Sequence, residues 1–400
     1  MPWSLRMTMM AFAAALIPFL YVFWRYGTSL SYFFPSFQKE IRYTLLVAFI
    51  YINLLPLTIG FRYLTGNLQD LFLFQNTLGL SDYLINFPFW LGLITIIEVL
   101  PYLILVDIIG LAGNFFSNQS HFPFKNWLHI LRILLVPSIF IFVSVRSYLD
   151  TYTIRTSHHS ISVRSSAQQN KNLTLGLVAD LQVDRYTQNP KINNLLEIIN
   201  KDKTDLLFFA GDLVTRGTEF IDQGTEALCN MNADIRVACI GDHDIWSDLN
   251  RISNDMKKCG WRVLQNDHNL VQYNGLRILI TGVTYAYSQR ISKPALDRLL
   301  QTAPDADIKI MLVHQPAKMV LNAARNFGYD IFLAGHTHGG QVIFKPFGMT
   351  LTPTQTENEI FAGYTPMENL NVFISNGIGL TMMPLRFRAS AEFVKINVTY

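Results

Sequence analysis

The sequence has few cysteines and few charged residues for its length. Only three cysteines occur in 400 residues, at positions 229, 239 and 259. They offer neither a disulfide framework nor the spacing of a metal motif, and they slightly favour a reducing, cytoplasmic location. Charged residues make up 15% of the chain, and the formal net charge is only +3. Because no basic stripe with interleaved aromatic residues occurs, no nucleic-acid partner is expected.

Internal repeats and low-complexity tracts are absent as well, but long apolar runs fill the first third of the chain. The runs cover residues 7–24, 43–61, 87–111 and 133–145. About 20 apolar residues are needed to cross the ~30 Å hydrocarbon core of a bilayer. The first run lacks the small-residue cleavage site of a secretory signal, and further apolar runs follow it. We therefore predict a transmembrane bundle of about four helices in residues 1–148.

Ionisable residues interrupt the third and fourth apolar runs. Glu98 and Asp107 lie in the third, and His129 and Arg132 lie at the start of the fourth. Ionisable groups at membrane depth are candidates for function. Arg132 could pair with Glu98 or with Asp107, or these side chains could extend to the bilayer surface.

A polar segment, residues 149–172, follows the apolar runs and is interpreted as a linker.

The distribution of basic residues does not decide the orientation of this multi-pass chain in the membrane. Basic residues that would draw segments toward the cytoplasm are Arg25, Lys39 and Arg42 in the first loop and Arg146, Arg155, Arg164 and Lys171 after the last run. With four spans these two segments lie on opposite sides of the membrane, so the positive-inside rule conflicts with itself.

The remainder of the chain contains five short apolar runs, each ending at a carboxylate or an imidazole. The runs are residues 173–179, 206–210, 236–240, 308–313 and 330–334. Nearly continuous apolar runs are typical of strands that are buried on both faces. Helix-length amphipathic stretches, such as residues 191–200, separate them. This βαβ spacing places the five strand ends along one edge of a sheet.

Seven chemically active side chains would then meet at that edge. They are Asp180, Asp212, Asp242, His243, His314, His336 and His338. Converging carboxylates and imidazoles repel or desolvate one another unless cations compensate them. A mixed oxygen and nitrogen site for two divalent ions is the expected resolution.

The order of these motifs resembles the calcineurin-like metallophosphoesterase superfamily. The motifs are Asp-x-x, Gly-Asp, Gly-x-His-Asp, His and Gly-His-x-His, in that order from residue 173 onward. The tail, with Ser-Asn-Gly-Ile-Gly-Leu at 375–380 and Pro-Leu-Arg-Phe at 384–387, resembles a branch of bacterial enzymes that includes membrane-attached members. The resemblance implies an α/β metallophosphoesterase domain over residues 173–400, a β-sandwich flanked by helices, and metal-dependent hydrolysis of phosphoric esters.

The resemblance also implies a role for each residue of the site. Its metal ligands are Asp180 and His338 at the first ion, Asp212 between both ions, and His314, His336 and Asp242 at the second. A water shared by two ions about 3.5–4 Å apart has a pKa near 7 and attacks phosphorus in line. His243 resembles the imidazole that protonates the leaving oxygen or stabilises the charge on the equatorial oxygens.

Several positions depart from the family pattern. Gln182 replaces a metal-binding histidine and Asp242 replaces an asparagine, which moves the site toward oxygen ligands. Two ions, with manganese preferred over magnesium, iron or zinc, are therefore expected. Thr215 replaces an aspartate that orients the catalytic histidine, so this support is lost or comes from Asp244. Arg216 is a candidate clamp for phosphate oxygens, and a solvated loop arginine is the alternative.

Two hypotheses about function follow. The first is a membrane-anchored two-metal phosphoesterase acting on a phosphomonoester, phosphodiester or pyrophosphate. A relative with UDP-2,3-diacylglucosamine pyrophosphatase activity suggests a nucleotide-linked lipid precursor, with residues 344–361 lining the entrance. The second is a catalytically impaired membrane sensor or scaffold that keeps the metal-binding fold, a reading that Gln182 and Thr215 favour. The expected partners are a phosphorylated substrate and the lipid bilayer, and the oligomeric state is open.

Overall fold

The computed structural model describes residues 1–116, 124–163, 172–201 and 203–400, and the chain divides into two compact units. The first unit comprises Met1–Tyr148 with two short later segments, Phe344–Leu351 and Met382–Leu385. The second unit comprises Leu149–Ile343, Thr352–Thr381 and Arg386–Tyr400. Residues 344–361, which we expected to line an entrance, are therefore shared between the units.

The first unit is helical. Its helices are α1 (Trp3–Phe33), α2 (Gln38–Ile52), α3 (Leu54–Leu64), α4 (Phe87–Phe116) and α5 (Phe124–Tyr152), with a π-helical turn at Asp82–Asn86 before α4. Among the described residues, three helices are long and apolar enough to cross a membrane. The count is four if α2 and α3, which are bent by 59° with respect to each other, form one span. This agrees with the predicted bundle of about four helices.

One ion-pair network joins three helices of the first unit. Asp107 of α4 pairs with Arg132 of α5 at 2.7 Å, as one of the sequence alternatives predicts. Arg25 of α1 pairs with the same carboxylate at 2.6 Å, which the sequence did not indicate. Arg132 is buried among the helices.

The second unit alternates strands and helices. Its strands are β1 (Ile154–Ser162), β2 (Asn172–Val178), β3 (Thr204–Phe209), β4 (Ala233–Cys239), β5 (Arg262–Leu264), β6 (Asp267–Tyr273), β7 (Leu276–Val283), β8 (Ile308–Val313), β9 (Ile331–Ala334), β10 (Gly363–Met367), β11 (Leu370–Ile374) and β12 (Ala391–Thr399). Its helices are α6 (Asn189–Lys201), α7 (Ile221–Cys229), α8 (Asp242–Trp246), α9 (Leu249–Lys258), α10 (Lys293–Gln301) and α11 (Lys318–Asn326).

Two six-stranded mixed sheets form a sandwich. The strand orders are β1-β12-β2-β3-β4-β5 and β10-β11-β9-β8-β7-β6. The five predicted strands correspond to β2, β3 and β4 in the first sheet and to β8 and β9 in the second, each parallel to its neighbour in this set. We expected their ends on one sheet. They belong instead to two sheets, because the connections place β2, β3 and β4 in one layer of the sandwich and β8 and β9 in the other.

Apolar side chains fill the space between the sheets and cover both outer faces. Leu175 and Phe208 of the first sheet belong to the same buried cluster as Ile310 of the second. On the outer faces, α6, α7 and α9 cover the first sheet, and α10 and α11 cover the second. The structure thus has the β-sandwich flanked by helices that the resemblance implies.

Part of the expected linker belongs to the sheet. Strand β1 lies within residues 149–172 and pairs in parallel with β12, in a register that sets Ile154 opposite Ala391. The polar composition of β1 concealed this strand, because only Ile154 and Ile161 of its nine residues are buried. Residues 164–171 of the expected linker lie outside the described residues.

Two of the three cysteines are joined, contrary to our reading of the sequence. A disulfide connects Cys229, the last residue of α7, to Cys259, which directly follows α9. The two residues are 30 positions apart, and the fold brings the helix ends together. The prediction of no disulfide was wrong because it considered spacing along the chain alone. Cys239 is free and buried, as expected for a strand residue.

Candidate dinuclear metal centre

The predicted ligands follow strand ends that meet at one edge of the sandwich. Asp180, Asp212 and Asp242 come two or three residues after β2, β3 and β4 of the first sheet. His314 directly follows β8, and the Gly335–Gly340 segment follows β9, in the second sheet. Backbone hydrogen bonds connect these ends, since Asp180 N donates to Gly211 O and Gly335 N donates to His314 O. Both sheets therefore contribute ligands to the same site.

The backbone is strained at several of these positions. Five candidate ligands have φ values in the left-handed region. They are Asp180 (50°), Gln182 (40°), Asp212 (63°), His336 (73°) and His338 (51°). This region is sparsely populated by residues other than glycine, and each instance costs about 1–3 kcal/mol. Such strain concentrates at functional sites, where the surrounding structure enforces it.

Two glycines allow the close approach that the site requires. A Cβ atom at Gly241 would lie 2.1 Å from Asp212 Oδ1, and one at Gly335 would lie 2.6 Å from Asp180 Oδ2. Real Cβ atoms do not approach other atoms this closely. Any side chain at these glycines would therefore displace a carboxylate that we interpret as a metal ligand.

One group of three donors matches the predicted second metal site. His336 Nδ1 lies 3.0 Å from Asp242 Oδ2, and His314 Nε2 lies 3.3 Å from the same oxygen. The ligand atoms of these three residues all lie within 4.8 Å of one another. Gln315 Nε2 donates to Asp242 Oδ2 at 2.7 Å, and Tyr287 N donates to Asp242 Oδ1, so the carboxylate is held in place.

A second group of three donors shares His314 with the first. Asp180, Asp212 and His314 have ligand atoms within 4.8 Å of one another. His314 Nε2 lies 3.3 Å from Asp212 Oδ2, and His338 Nε2 lies 3.7 Å from Asp180 Oδ1. The carboxylate of Asp212 thus lies next to the imidazole that both groups share, and its expected role as a bridging ligand stays a prediction.

Gln182 lies with these donors, and its side-chain oxygen lacks a partner. The residue is 1% exposed, and its Nε2 donates to Asp212 Oδ2 at 3.2 Å. Its Oε1 is buried and has no hydrogen-bond donor in the part of the chain that the structure describes. A buried acceptor without a partner costs about 1–3 kcal/mol. A hard cation at this position would satisfy the oxygen, so the residues present fit a metal ion.

The charge of the site also favours cations. Burial raises the pKa of Asp180 to about 7, against the opposing effect of His314. Burial would raise the pKa of Asp212 too, but the imidazoles of His314 and His243 together lower it. The pKa of His314 lies well above its ordinary value because the carboxylates of Asp212 and Asp242 outweigh the effect of burial. Without metal, a proton on His314 thus compensates negative charge that divalent ions could compensate better.

The tautomer of His314 suits metal binding. Its Nδ1 donates to the main-chain carbonyl of Ala210 at 2.7 Å. The lone pair of Nε2, once deprotonated, then faces Asp212 and Asp242. A histidine ligand whose other nitrogen is fixed by a carbonyl oxygen is a common arrangement in metal sites.

The candidate catalytic residue His243 is oriented by the backbone. Its Nδ1 hydrogen-bonds the carbonyl oxygen of Thr215, and its Nε2 lies 3.9 Å from Asp212 Oδ2. The side chain is 19% exposed, so substrate can reach it. The Thr215 hydroxyl donates to Asp184 Oδ2 at 2.9 Å and to the carbonyl of Gln182 at 3.1 Å. Thr215 thereby keeps the loop in place although it lacks a carboxylate.

Asp244 has a different role from the one we predicted. We considered it a substitute support for His243. Its Oδ2 accepts backbone N–H groups from Asp212 and Gly241 at 2.9 Å, and its Oδ1 accepts that of Leu213 at 2.8 Å. Both oxygens are engaged by backbone, so Asp244 stabilises the loop that carries Asp212.

The predicted phosphate clamp Arg216 is exposed, in the loop that follows Asp212. The charged groups that act on it include Arg185, Asp184 and Glu219. Its role as a clamp stays a prediction.

Arg386 is a positioning residue that sequence reasoning missed. The guanidinium is fully buried and donates to the carbonyl oxygens of His338, Gly377, Gly379 and Ala389 at 2.7–3.2 Å. Burial lowers its pKa to about 10. The Cβ that a side chain would add at Gly377 lies 2.7 Å from Asp180 Cβ, so Arg386 holds a loop against two candidate ligands. The Pro-Leu-Arg-Phe motif contained this residue, but its burial was not evident from the sequence.

Two aromatic side chains stand at the rim of the site. Trp246 and Tyr287 are 53% and 46% exposed, and their rings are nearly parallel, with 5° between planes and 6.3 Å between centroids. Trp246 lies 4.9 Å from the ring of His243, and Tyr287 lies 5.3 Å from that of His336. The hydroxyl of Tyr287 donates to Glu357 at 2.6 Å. A flat or apolar group attached to a phosphate could contact this pair.

Comparisons with known proteins agree with this geometry. Residues 173–340 match the family model of the calcineurin-like phosphoesterases. The chain is 25% identical, over 321 residues, to a Caenorhabditis elegans protein named as a metallophosphoesterase, and the match covers 76% of this chain and 65% of that protein. An uncharacterized metallophosphoesterase of Helicobacter pylori is 24% identical over 229 residues, 57% of this chain and 60% of that protein.

A third relative has a more specific name. Phosphodiesterase YaeI of Escherichia coli is 23% identical over 228 residues, covering 55% of this chain and 80% of that protein. The chain spans less than two thirds of the length of the first two relatives. The family consists of hydrolases of phosphoric esters that use a dinuclear divalent metal site. Residues 173–340 are therefore a calcineurin-like phosphoesterase domain.

Proposed function

We propose that this protein is a membrane-anchored, two-metal phosphoesterase. The observation that carries the proposal is the pair of donor groups, Asp242-His314-His336 and Asp180-Asp212-His314, which share one imidazole. Asp212 Oδ2 lies 3.3 Å from the shared imidazole, and the unpartnered Oε1 of Gln182 adds a further oxygen. The apolar helices of the first unit support anchoring in a bilayer.

The residues of the site have separate roles in the proposed reaction. When bound, two divalent ions would lower the pKa of a water molecule and neutralise charge on the phosphoryl oxygens. Asp180, Gln182 and His338 would hold one ion, His314, His336 and Asp242 the other, with Asp212 between them. His243 Nε2, which points toward the site while Nδ1 is bound to the Thr215 carbonyl, would donate a proton to the leaving oxygen.

The rim favours an ester with a flat or apolar organic group. Trp246 and Tyr287 are half exposed beside the candidate catalytic and metal-binding imidazoles. Exposed aromatic rings bind flat groups by stacking, and a base on an aromatic ring gains about 1–3 kcal/mol. Together with the name of the Escherichia coli relative, this supports a phosphodiester or pyrophosphate, and a nucleotide-linked lipid precursor is the substrate that we propose.

Manganese is the metal that we propose for the site. The candidate donors include three carboxylates and one amide oxygen beside three imidazoles, and an oxygen-rich set suits manganese or magnesium better than zinc. Asp242 also places a full negative charge at the second ion. This preference can be measured directly, as described in the Discussion.

The disulfide indicates on which side of the membrane the catalytic unit lies. Disulfides persist in oxidising compartments and are rare in the cytosol. The Cys229–Cys259 bond therefore favours a catalytic unit outside the cytoplasm, the reverse of the side that the scarcity of cysteine favours. Treating intact cells with a membrane-impermeant maleimide should label these cysteines only after a reductant is added. Labelling of Cys229 and Cys259, beyond that of the free Cys239, in unfolded protein from unreduced cells would indicate a cytoplasmic catalytic unit.

Hydrolysis of chromogenic esters by the full-length protein tests the proposal. We expect manganese-dependent release of nitrophenol from bis(p-nitrophenyl) phosphate, lost on chelation and restored by manganese. Asp212→Asn should lower the rate by at least about 10²-fold, the scale of losing one key electrostatic group. Asp222→Asn, which removes an exposed carboxylate on α7, is the matched control and should keep the parent rate.

The same experiment separates the second hypothesis. A sensor or scaffold would bind two ions per chain and still show no turnover of monoester, diester or pyrophosphate. The geometry around Thr215 argues against this, because its carbonyl supplies the support that a missing carboxylate would give to His243.

A further inference from the structure

A cluster of charges in the helical unit has no counterpart in the proposed catalytic mechanism. Asp107 of α4 accepts hydrogen bonds from Arg25 of α1 at 2.6 Å and from Arg132 of α5 at 2.9 Å. The Tyr21 hydroxyl donates to the same carboxylate. Two guanidinium groups thus share one carboxylate, and this group of three ionised side chains carries a net charge of +1.

The depth of the cluster places it near the bilayer surface. Arg25 is eight residues before the end of α1, Asp107 nine before the end of α4, and Arg132 eight after the start of α5. At about 1.5 Å per residue, all three lie roughly 12–14 Å inside the same end of the bundle. Helices of about 30 residues are roughly 45 Å long, some 15 Å longer than the ~30 Å hydrocarbon core. The cluster is therefore only about 5 Å below the headgroups, if the helices are centred.

Basic residues near the cluster add to its positive charge. His129 hydrogen-bonds Ser29 at 3.1 Å, and the charged groups that act on this imidazole are Arg132, Lys125, Arg25 and Asp107. Three of these four are basic. The described segments at this end, residues 25–42, 107–116 and 124–132, hold five basic and two acidic residues. Excess positive charge at low dielectric is costly unless an anion compensates it.

An apolar cavity of the same unit begins beside the cluster. It has a volume of about 610 Å³ and lies between α1, α2, α4 and α5. Val22 and Tyr26 flank Arg25 on α1 and line the cavity, and Val136, one turn after Arg132, lines it from α5. Its size lies within the range of about 300–1,000 Å³ that is usual for ligand sites. Cavities with apolar walls do not retain water, whereas an acyl chain would fill this one.

We propose that the helical unit binds one anionic phospholipid, with the phosphate at Arg25 and Arg132 and an acyl chain in the cavity. The headgroup supplies the negative charge that the cluster lacks, and the chain supplies the apolar contacts. Basic pockets between transmembrane helices bind anionic headgroups on the same principle. This proposal does not depend on the catalytic activity proposed above.

Lipid binding by full-length protein tests the proposal. Delipidated protein in neutral detergent is titrated with phosphatidylglycerol, and native mass spectrometry counts the bound molecules and gives Kd. We expect one tightly bound lipid. Phosphatidylcholine, which has a phosphate but no net charge, should bind at least about fivefold more weakly, the factor expected for one basic residue near the surface. Inorganic phosphate, which has no acyl chain to fill the cavity, should not displace the lipid. Equal binding of phosphatidylcholine, or displacement of the lipid by inorganic phosphate, would overturn the proposal.

Three substitutions, one of them a control, make the test specific. Arg132→Gln removes the excess charge but leaves the Arg25–Asp107 pair balanced, so the bundle should fold, and Kd for phosphatidylglycerol should rise about fivefold. Arg62→Gln removes an arginine of α3 that is 4.0 Å from Asp70 and should leave Kd unchanged. Ala48→Phe narrows the cavity and should weaken the binding of phosphatidylglycerol without changing any binding of inorganic phosphate. Equal effects of Arg132→Gln and Arg62→Gln, or no effect of Ala48→Phe, would contradict the proposed site.

Discussion

The most informative substitution is Gln182→His, because the chain departs from the family pattern at this residue. Gln182 is buried, its Nε2 is bound to Asp212, and its Oε1 has no donor among the described residues. An amide oxygen is a neutral, hard ligand that suits manganese, whereas imidazole suits zinc and iron. The φ of 40° is acceptable for histidine, one of the residues that occur more often than others in the left-handed region.

The expected magnitude follows from the state of the amide oxygen. In the metal-free protein the buried Oε1 is unsatisfied, at a cost of about 1–3 kcal/mol, and an ion at the first site would relieve this. Replacing the oxygen by imidazole should raise zinc affinity about tenfold, which corresponds to about 1.4 kcal/mol. Manganese affinity should stay the same or fall, since manganese gains little from a nitrogen ligand. The preference for zinc over manganese should therefore rise at least tenfold.

Titration of metal-free protein with zinc and with manganese measures both affinities, and elemental analysis gives the number of ions bound. The parent protein should bind its first-site ion more weakly than its second-site ion, and Gln182→His should reduce that difference for zinc. Gln223→His is the control, because it adds an imidazole on α7 at a residue that hydrogen-bonds Asn189. An unchanged zinc-to-manganese preference in Gln182→His would refute the assignment of Oε1 as a ligand.

Three further predictions address other parts of the site. His243→Ala should retain both ions while turnover falls about 10²–10⁴-fold, with a smaller loss for esters whose leaving groups are acidic; an equal loss for all leaving groups would argue against proton donation. Trp246→Ala should raise KM for nucleoside phosphodiesters several-fold, by the about 1–3 kcal/mol of base stacking, and leave methyl phosphate esters unaffected. Arg386→Met leaves buried carbonyls without donors, at about 1–3 kcal/mol each, so the denaturant midpoint should fall markedly; an unchanged midpoint would remove its positioning role.

The strands that carry the ligands could be predicted from sequence, and the edges of the sheets could not. β2, β3, β8 and β9 are mostly buried on both faces, and β4 is so in its last three residues, so each contains a short apolar run that ends near a carboxylate or an imidazole. β1 pairs with β12 across more than 200 residues and is mostly polar. Its identity depends on a partner strand that no local pattern reveals. The disulfide escaped prediction for the same reason, since the contact of α7 with α9 sets its geometry.

Within the site, the sequence indicated which side chains are present but not how the backbone holds them. Carboxylates, imidazoles and their order along the chain are visible in the sequence. The left-handed φ angles of the ligands, the carbonyl of Thr215 and the carbonyls that Arg386 binds are main-chain features. They depend on how the chain is folded around the site, and the residue types alone do not reveal them.

This distinction affects how the departures from the family should be interpreted. On sequence, Thr215 and Gln182 both favour an inactive sensor, because a carboxylate and an imidazole are missing. In the structure, the Thr215 carbonyl binds His243 Nδ1, so orientation of the imidazole is preserved without the carboxylate. The carbonyl oxygen fixes Nδ1 and leaves Nε2 on the side of Asp212, 3.9 Å from its Oδ2, as proton donation to a leaving group at the site requires. Threonine instead of aspartate at position 215 is thus compatible with catalysis. Only Gln182 still supports the sensor hypothesis.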